Sequence, residues 1–193
     1  MNRTPEGYFD AALAEAIELF PKLSALQPQV AQVAHAMTGA WDQGKKILFA
    51  GNGGSAADAM HFAEELVVRY HRDRRALAAL ALLDPTAITC AGNDMGYEKV
   101  FSRQIEALGQ AGDVFIGVTT SGNSVNLLKA FEVAKAKGIY TIGFLGKDGG
   151  AAKAMIDLAL IVPSARTARV QEAHKMIYHA ICDYVDAWAL GET

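Results

Sequence analysis

Residues 46–66 read KILFAGNGGSAADAMHFAEEL. Lys46–Ala50 is a short, nearly continuous apolar run, the pattern of a strand covered on both faces. It enters Gly51-Asn52-Gly53-Gly54-Ser55 directly, and a helical spacing follows through Arg69. A strand, a glycine loop and a helix in that order open a crossover unit, because parallel strands cannot be joined by a tight turn.

Downstream the alternation repeats. Strands are expected at 76–83, 113–118, 140–145 and 158–162, with helical segments near 84–91, at 101–108 and 125–137, and from about 168 to 190. Upstream, Phe9, Leu13, Ile17 and Phe20 recur every three or four residues and predict an amphipathic helix. A second helix fits Val30, Val33, Ala34, Met37 and Trp41, ending near Gly44 in a left-handed cap. The pattern predicts an α/β protein with a parallel sheet between two helical layers, forming one domain over 1–193. The helices of 1–45 exceed what the sheet needs for cover and are assigned to subunit packing.

Composition narrows the function. The chain has 193 residues, 51% hydrophobic, with 18 Lys and Arg against 21 Asp and Glu, so a phosphodiester backbone is not an expected partner. Cys90 and Cys182 form no C-x-x-C pair and read as reduced, half-buried thiols of a cytoplasmic protein. Met1–Asp10 carries no apolar signal core, and 76–83 is too short to span a bilayer.

Ligands of a doubly wound sheet bind beyond the carboxyl ends of its strands, where two loops stand out. Gly51–Ser55 lets backbone approach a ligand closely and also fits a dinucleotide fingerprint through Ala56. That fingerprint expects an acidic residue about 20 positions on, and Asp84, 28 beyond Ala56, is a poor match. Thr119-Thr120-Ser121-Gly122-Asn123-Ser124 offers four hydroxyls at the mouth of a helix, which suits a phosphate monoester. Ser124 alone would be read as a helix cap.

His61 and Glu65 share one helical face, fit either to hold a metal or to act as a base with its orienting imidazole. Arg69 extends that stripe toward a sugar phosphate, whereas Arg72, Arg74 and Arg75 read as a solvated basic loop. Gln171, Glu172, His174 and His179 occupy the polar flank of the last helix. Gln171 and His179 lie about 12 Å apart along its axis and must lean together to share a ligand.

GNGGSAADAMHFAEEL (51–66), GNDMGYEKVFSRQ (92–104), TTSGNS (119–124), GKDGG (146–150) and RVQEAHKMIYH (169–179) together resemble the phosphoheptose isomerases of the sugar-isomerase (SIS) superfamily. The resemblance implies a three-layer α/β/α fold on a five-stranded parallel sheet, assembled as a homotetramer with sites near subunit interfaces. It implies an aldose–ketose isomerase acting on sedoheptulose 7-phosphate for bacterial surface heptose. Asn52, Gly53, Gly54, Asn93 and Asp94 would contact the phosphosugar, and Thr119, Thr120, Ser121 and Ser124 would hold its phosphate. His61, Glu65, Gln171 and His179 match zinc-binding positions, Glu65 and Gln171 also meeting substrate, with Glu65 and His179 as the acid–base pair. A non-catalytic relative that binds a replication initiator lacks the acid at position 65, so Glu65 favours the enzyme. A phosphosugar sensor and a nicotinamide enzyme complete the alternatives.

Overall fold

The structure is a computed structural model describing residues 4–193. Five strands, all parallel, form one sheet in the order β2-β1-β3-β4-β5: β1 Ile47–Gly51, β2 Ala79–Ala81, β3 Val114–Thr119, β4 Tyr140–Gly146 and β5 Leu158–Val162. The helices are α1 Pro5–Leu19, α2 Gln27–Asp42, α3 Gly54–Val67, α4 Pro85–Asp94, α5 Ser102–Leu108, α6 Val125–Ala136 and α7 Thr167–Ala189. Side chains alternate across the sheet as the pleat requires. Ile47, Phe49, Ile116 and Phe144 join the core under α2, α3 and α7, while Leu48, Ala50, Phe115 and Leu145 join the core under α5 and α6. Both faces are therefore covered, which is why the strands read as unbroken apolar runs.

The chain passes from β1 to its neighbour β2 and then crosses to β3 on the opposite side of β1. That reversal opens a crevice between the carboxyl ends of β1 and β3, the place where such sheets bind ligands. Gly51 pairs in register with Val118, so the glycine loop and the hydroxyl loop leave the sheet side by side.

Several expectations need correction. The second strand is three residues long rather than eight, since only Ala79–Ala81 pairs with β1 at the sheet edge. Helix α3 stops at Val67 instead of reaching Arg69. Its end is set by Arg74, whose guanidinium donates to the carbonyls of Glu65 at 2.6 Å and Leu66 at 2.7 Å and pairs with Asp186 of α7 at 3.0 Å. Arg74 is thus a buried tie between helices, not part of a solvated loop. His174 is fully buried rather than polar-flanking, and its Nε2 lies 3.0 Å from the Leu145 carbonyl. Cys90 is exposed and Cys182 buried, so neither thiol is intermediate. The predicted apolar face of α1 exists, but Phe9, Leu13 and Ile17 are exposed in the single chain. Of the opening segment Met1–Asp10, residues 1–3 lie outside the described residues. Among the described residues no helix is long and apolar enough to cross a membrane.

Candidate active site

Beyond β1, the turn at Asn52 and Gly53 starts α3 without a side-chain cap, and Gly53 has φ of +56°. That conformation costs glycine little and other residues much. At Gly54 a Cβ would come within 2.5 Å of the Gln171 amide on α7, so any larger residue would push that side chain out of its present place. This close approach brings the first turn of α3 against the first two turns of α7.

Beyond β3, the hydroxyl loop is folded around Thr119. Its Oγ1 lies 3.5 Å from Ser121 Oγ and 3.3 Å from Ser124 Oγ, and it accepts from the Gly122 N–H at 3.3 Å. Ser124 occupies the N-cap position of α6 yet makes no side-chain capping bond, so its hydroxyl faces its neighbours. The turn at 146–151 braces this loop from behind. Asn123 Oδ1 accepts from the Ala151 N–H at 2.9 Å, and the Gly122 carbonyl accepts from the Ala152 N–H at 3.0 Å.

A cavity of about 270 Å³ is lined by Asn52, Gly54, Ser55, Thr119, Thr120, Ser121, Ser124, Thr167 and Gln171. Those residues include the start of α3, the cap of α6 and the first residue of α7. Three helix N-termini thus border one small space, and the partial positive charge of helix starts suits a dianion there.

A larger cleft of about 820 Å³ adjoins it and shares Gly54 and Gln171 as lining. Its wall adds Asp58, Lys175, His179 and Asp183. Beside His179 stand His61 and Glu65, joined at 2.9 Å, and one ligand atom from each of the three lies within 4.8 Å of the others. His179 packs flat against Tyr70 and edge-on to Tyr178, at 5.4 and 4.6 Å between ring centres. Burial foremost, and then the neighbouring His61, push its imidazole pKa below the ordinary histidine value. Its Nε2 is buried without a protein partner among the described residues, as a ligand atom awaiting a metal would be. A carboxylate with two imidazoles is a suitable donor set for zinc.

The structure brings together Asn52, Gly54, the four loop hydroxyls, His61, Glu65, Gln171 and His179. It does not bring Arg69 to either cleft, because α3 has ended and Arg69 is exposed beyond it. Asn93 and Asp94 close α4, exposed and bonded to each other at 2.7 Å. A few residues on, Tyr97 does reach the glycine loop, its hydroxyl donating to Asn52 Oδ1 at 3.0 Å. Asn52 and the buried Asn126 also exchange amide hydrogen bonds of 2.9 and 3.0 Å. Tyr97, Asn126 and Thr167 escape a reading of the sequence. Tyr97 lay within the quoted motif GNDMGYEKVFSRQ, and Asn126 stands two residues past TTSGNS. Asp84, the acid a dinucleotide would need, instead caps α4 by accepting from the Ala87 N–H at 2.8 Å.

A doubly wound sheet with an anion cavity at its switch point and an acid–base cluster alongside defines a sugar-phosphate-handling α/β protein. The family model described as SIS domain matches residues 11–146. A phosphoheptose isomerase of Trichlorobacter lovleyi is 47% identical over 188 residues, covering 96% of both chains. Among solved structures, the phosphoheptose isomerase of Neisseria gonorrhoeae aligns with a TM-score of 0.89 at 42% identity, over 95% of this chain and 100% of that one. One from Francisella tularensis aligns with a TM-score of 0.92 at 36% identity, over 95% and 98%. The chain belongs to the phosphoheptose isomerase family of SIS-domain proteins.

Proposed function

We propose that the chain interconverts sedoheptulose 7-phosphate and D-glycero-D-manno-heptose 7-phosphate, an aldose–ketose isomerisation in heptose biosynthesis. The observation that carries this reading is the shared wall of the two cavities. Gly54 and Gln171 line both, so a phosphate among the hydroxyls leaves the sugar chain directed toward Glu65 and His179.

The phosphate is gripped by Thr119, Thr120, Ser121 and Ser124 and by the three helix ends, which anchors the substrate remotely from the reacting carbons. Asn52, Gly53 and Gly54 meet the sugar, with Gln171 between the cavities. Isomerisation moves a proton between C1 and C2 through an enediol, so one group must act on carbon while another serves oxygen. Glu65 takes the carbon-bound proton on a carboxylate oxygen while His61 holds Oε1. His179, which lines the larger cleft, moves the proton on oxygen. His61, Glu65, Gln171 and His179 would hold zinc, which supplies Lewis-acid polarisation of the carbonyl. Arg69, Asn93 and Asp94 reach the substrate from a neighbouring protomer of a homotetramer packed through α1 and α2, in the cytoplasm.

Incubation with sedoheptulose 7-phosphate in D₂O tests the reading. Aldose formation with deuterium at C2 is the expected outcome. A substrate recovered unchanged and unlabelled, with and without added zinc, overturns it.

A further inference from the structure

His61 is the ligand of the cluster whose second nitrogen is fully engaged. Its Nδ1 lies 2.9 Å from the Tyr178 hydroxyl and 3.3 Å from the Lys175 ammonium. The Lys175 ammonium is held in turn 3.4 Å from the buried carboxylate of Asp58. An ammonium has hydrogens but no lone pair, so a nitrogen facing it must supply the lone pair. In the metal-free chain Nδ1 is therefore the acceptor, and Nε2 carries the hydrogen that it donates to Glu65 at 2.9 Å.

A metal on Nε2 reverses this arrangement. The ring hydrogen then resides on Nδ1 and needs an acceptor, which Lys175 cannot be. A phenolic hydroxyl can either donate or accept. Tyr178 is itself rigidly placed, 2% exposed and stacked on Phe62 with 5.0 Å between ring centres and 17° between planes. Asp58 is positioned to retain the ammonium when Lys175 loses its place at the ring.

We propose that Tyr178 is the positioning residue of His61, its hydroxyl holding the ring in both tautomers, while Lys175 favours the metal-free one. The zinc part of this inference rests on the reading of His61, Glu65 and His179 as a metal site; the tautomer part does not. An outer partner of a metal-bound histidine is commonly worth 10–100-fold in affinity.

The test uses the purified full chain with zinc alone as probe, titrated against a chromogenic chelator. Tyr178→Phe keeps the stacked ring and is expected to weaken zinc binding about 10–100-fold with an unchanged melting temperature. Lys175→Met is expected to bind zinc at least as tightly as the parent. Equal affinity in Tyr178→Phe, or comparable weakening in both variants, overturns the proposal. Failure of the parent to bind zinc removes the metal reading instead. Nitrogen-15 spectra of metal-free His61 decide the tautomer separately and do not depend on either variant folding. Hydrogen on Nε2 with a hydrogen-bonded Nδ1 supports the assignment, and hydrogen on Nδ1 overturns it.

Discussion

Glu65 shows most clearly what spacing revealed and what it hid. The i, i+4 relation to His61 is visible in the letters, and the helix delivers it as a 2.9 Å contact. What the letters do not carry is the tie beneath it, where Arg74 binds the Glu65 carbonyl from nine residues away in a segment that reads as solvated. A buried arginine and an exposed one have the same local sequence signature, because the partner that decides, Asp186, is 112 residues distant. Glu65→Gln keeps an oxygen for His61 and loses the base, so turnover should fall about 10²–10⁴-fold while phosphosugar binding persists. Stopped turnover assays and calorimetric binding check both halves. Replacing Ser121 and Ser124 together by alanine should raise KM by more than it lowers kcat, since phosphate contacts are made equally in ground and transition states. A KM equal to the parent's would remove those hydroxyls from the phosphate site.

Among the elements, long periodic segments were the most legible. Strand β5 falls on the expected residues, and α7 spans Thr167–Ala189 against an expected 168–190. The error at β2 has a physical origin: 76–83 is uniformly apolar because it runs beside covered neighbours, and apolarity does not say where pairing begins. His174 was misplaced on α7 for a related reason. A histidine on a helix face reads as polar, yet here a carbonyl of β4 satisfies one nitrogen and burial does the rest. That burial, the main cause, lowers its pKa from 6.5 to about 4. The unfolded chain therefore binds this proton first as pH falls, so stability is intact above about pH 6.5 and is lost progressively down to about pH 4. The interval corresponds to about 3 kcal/mol. Denaturant midpoints at pH 7, 5.5 and 4 should fall less steeply in His174→Gln, which retains a donor for Leu145. Parallel curves for parent and variant would assign the acid sensitivity elsewhere.

For the molecule as a whole, the α1 stripe of Phe9, Leu13 and Ile17, between 48% and 68% exposed, is the apolar face on which the proposed tetramer can be tested. On the proposed packing through α1, Ile17→Glu should dissociate the tetramer in sedimentation velocity, and activity should fall with it if Arg69, Asn93 and Asp94 act across an interface. An unaltered sedimentation coefficient would free α1 from that role. Sequence announced the glycine and hydroxyl loops but not that a third segment supports them. The 146–151 turn grips Asn123 and Gly122 from behind, with Gly149 at φ of +90° and Gly150 at +54°. Anyone transplanting the TTSGNS stretch into a different scaffold would therefore have to move two non-contiguous pieces as a cassette, and a graft of six residues alone would arrive without its mould.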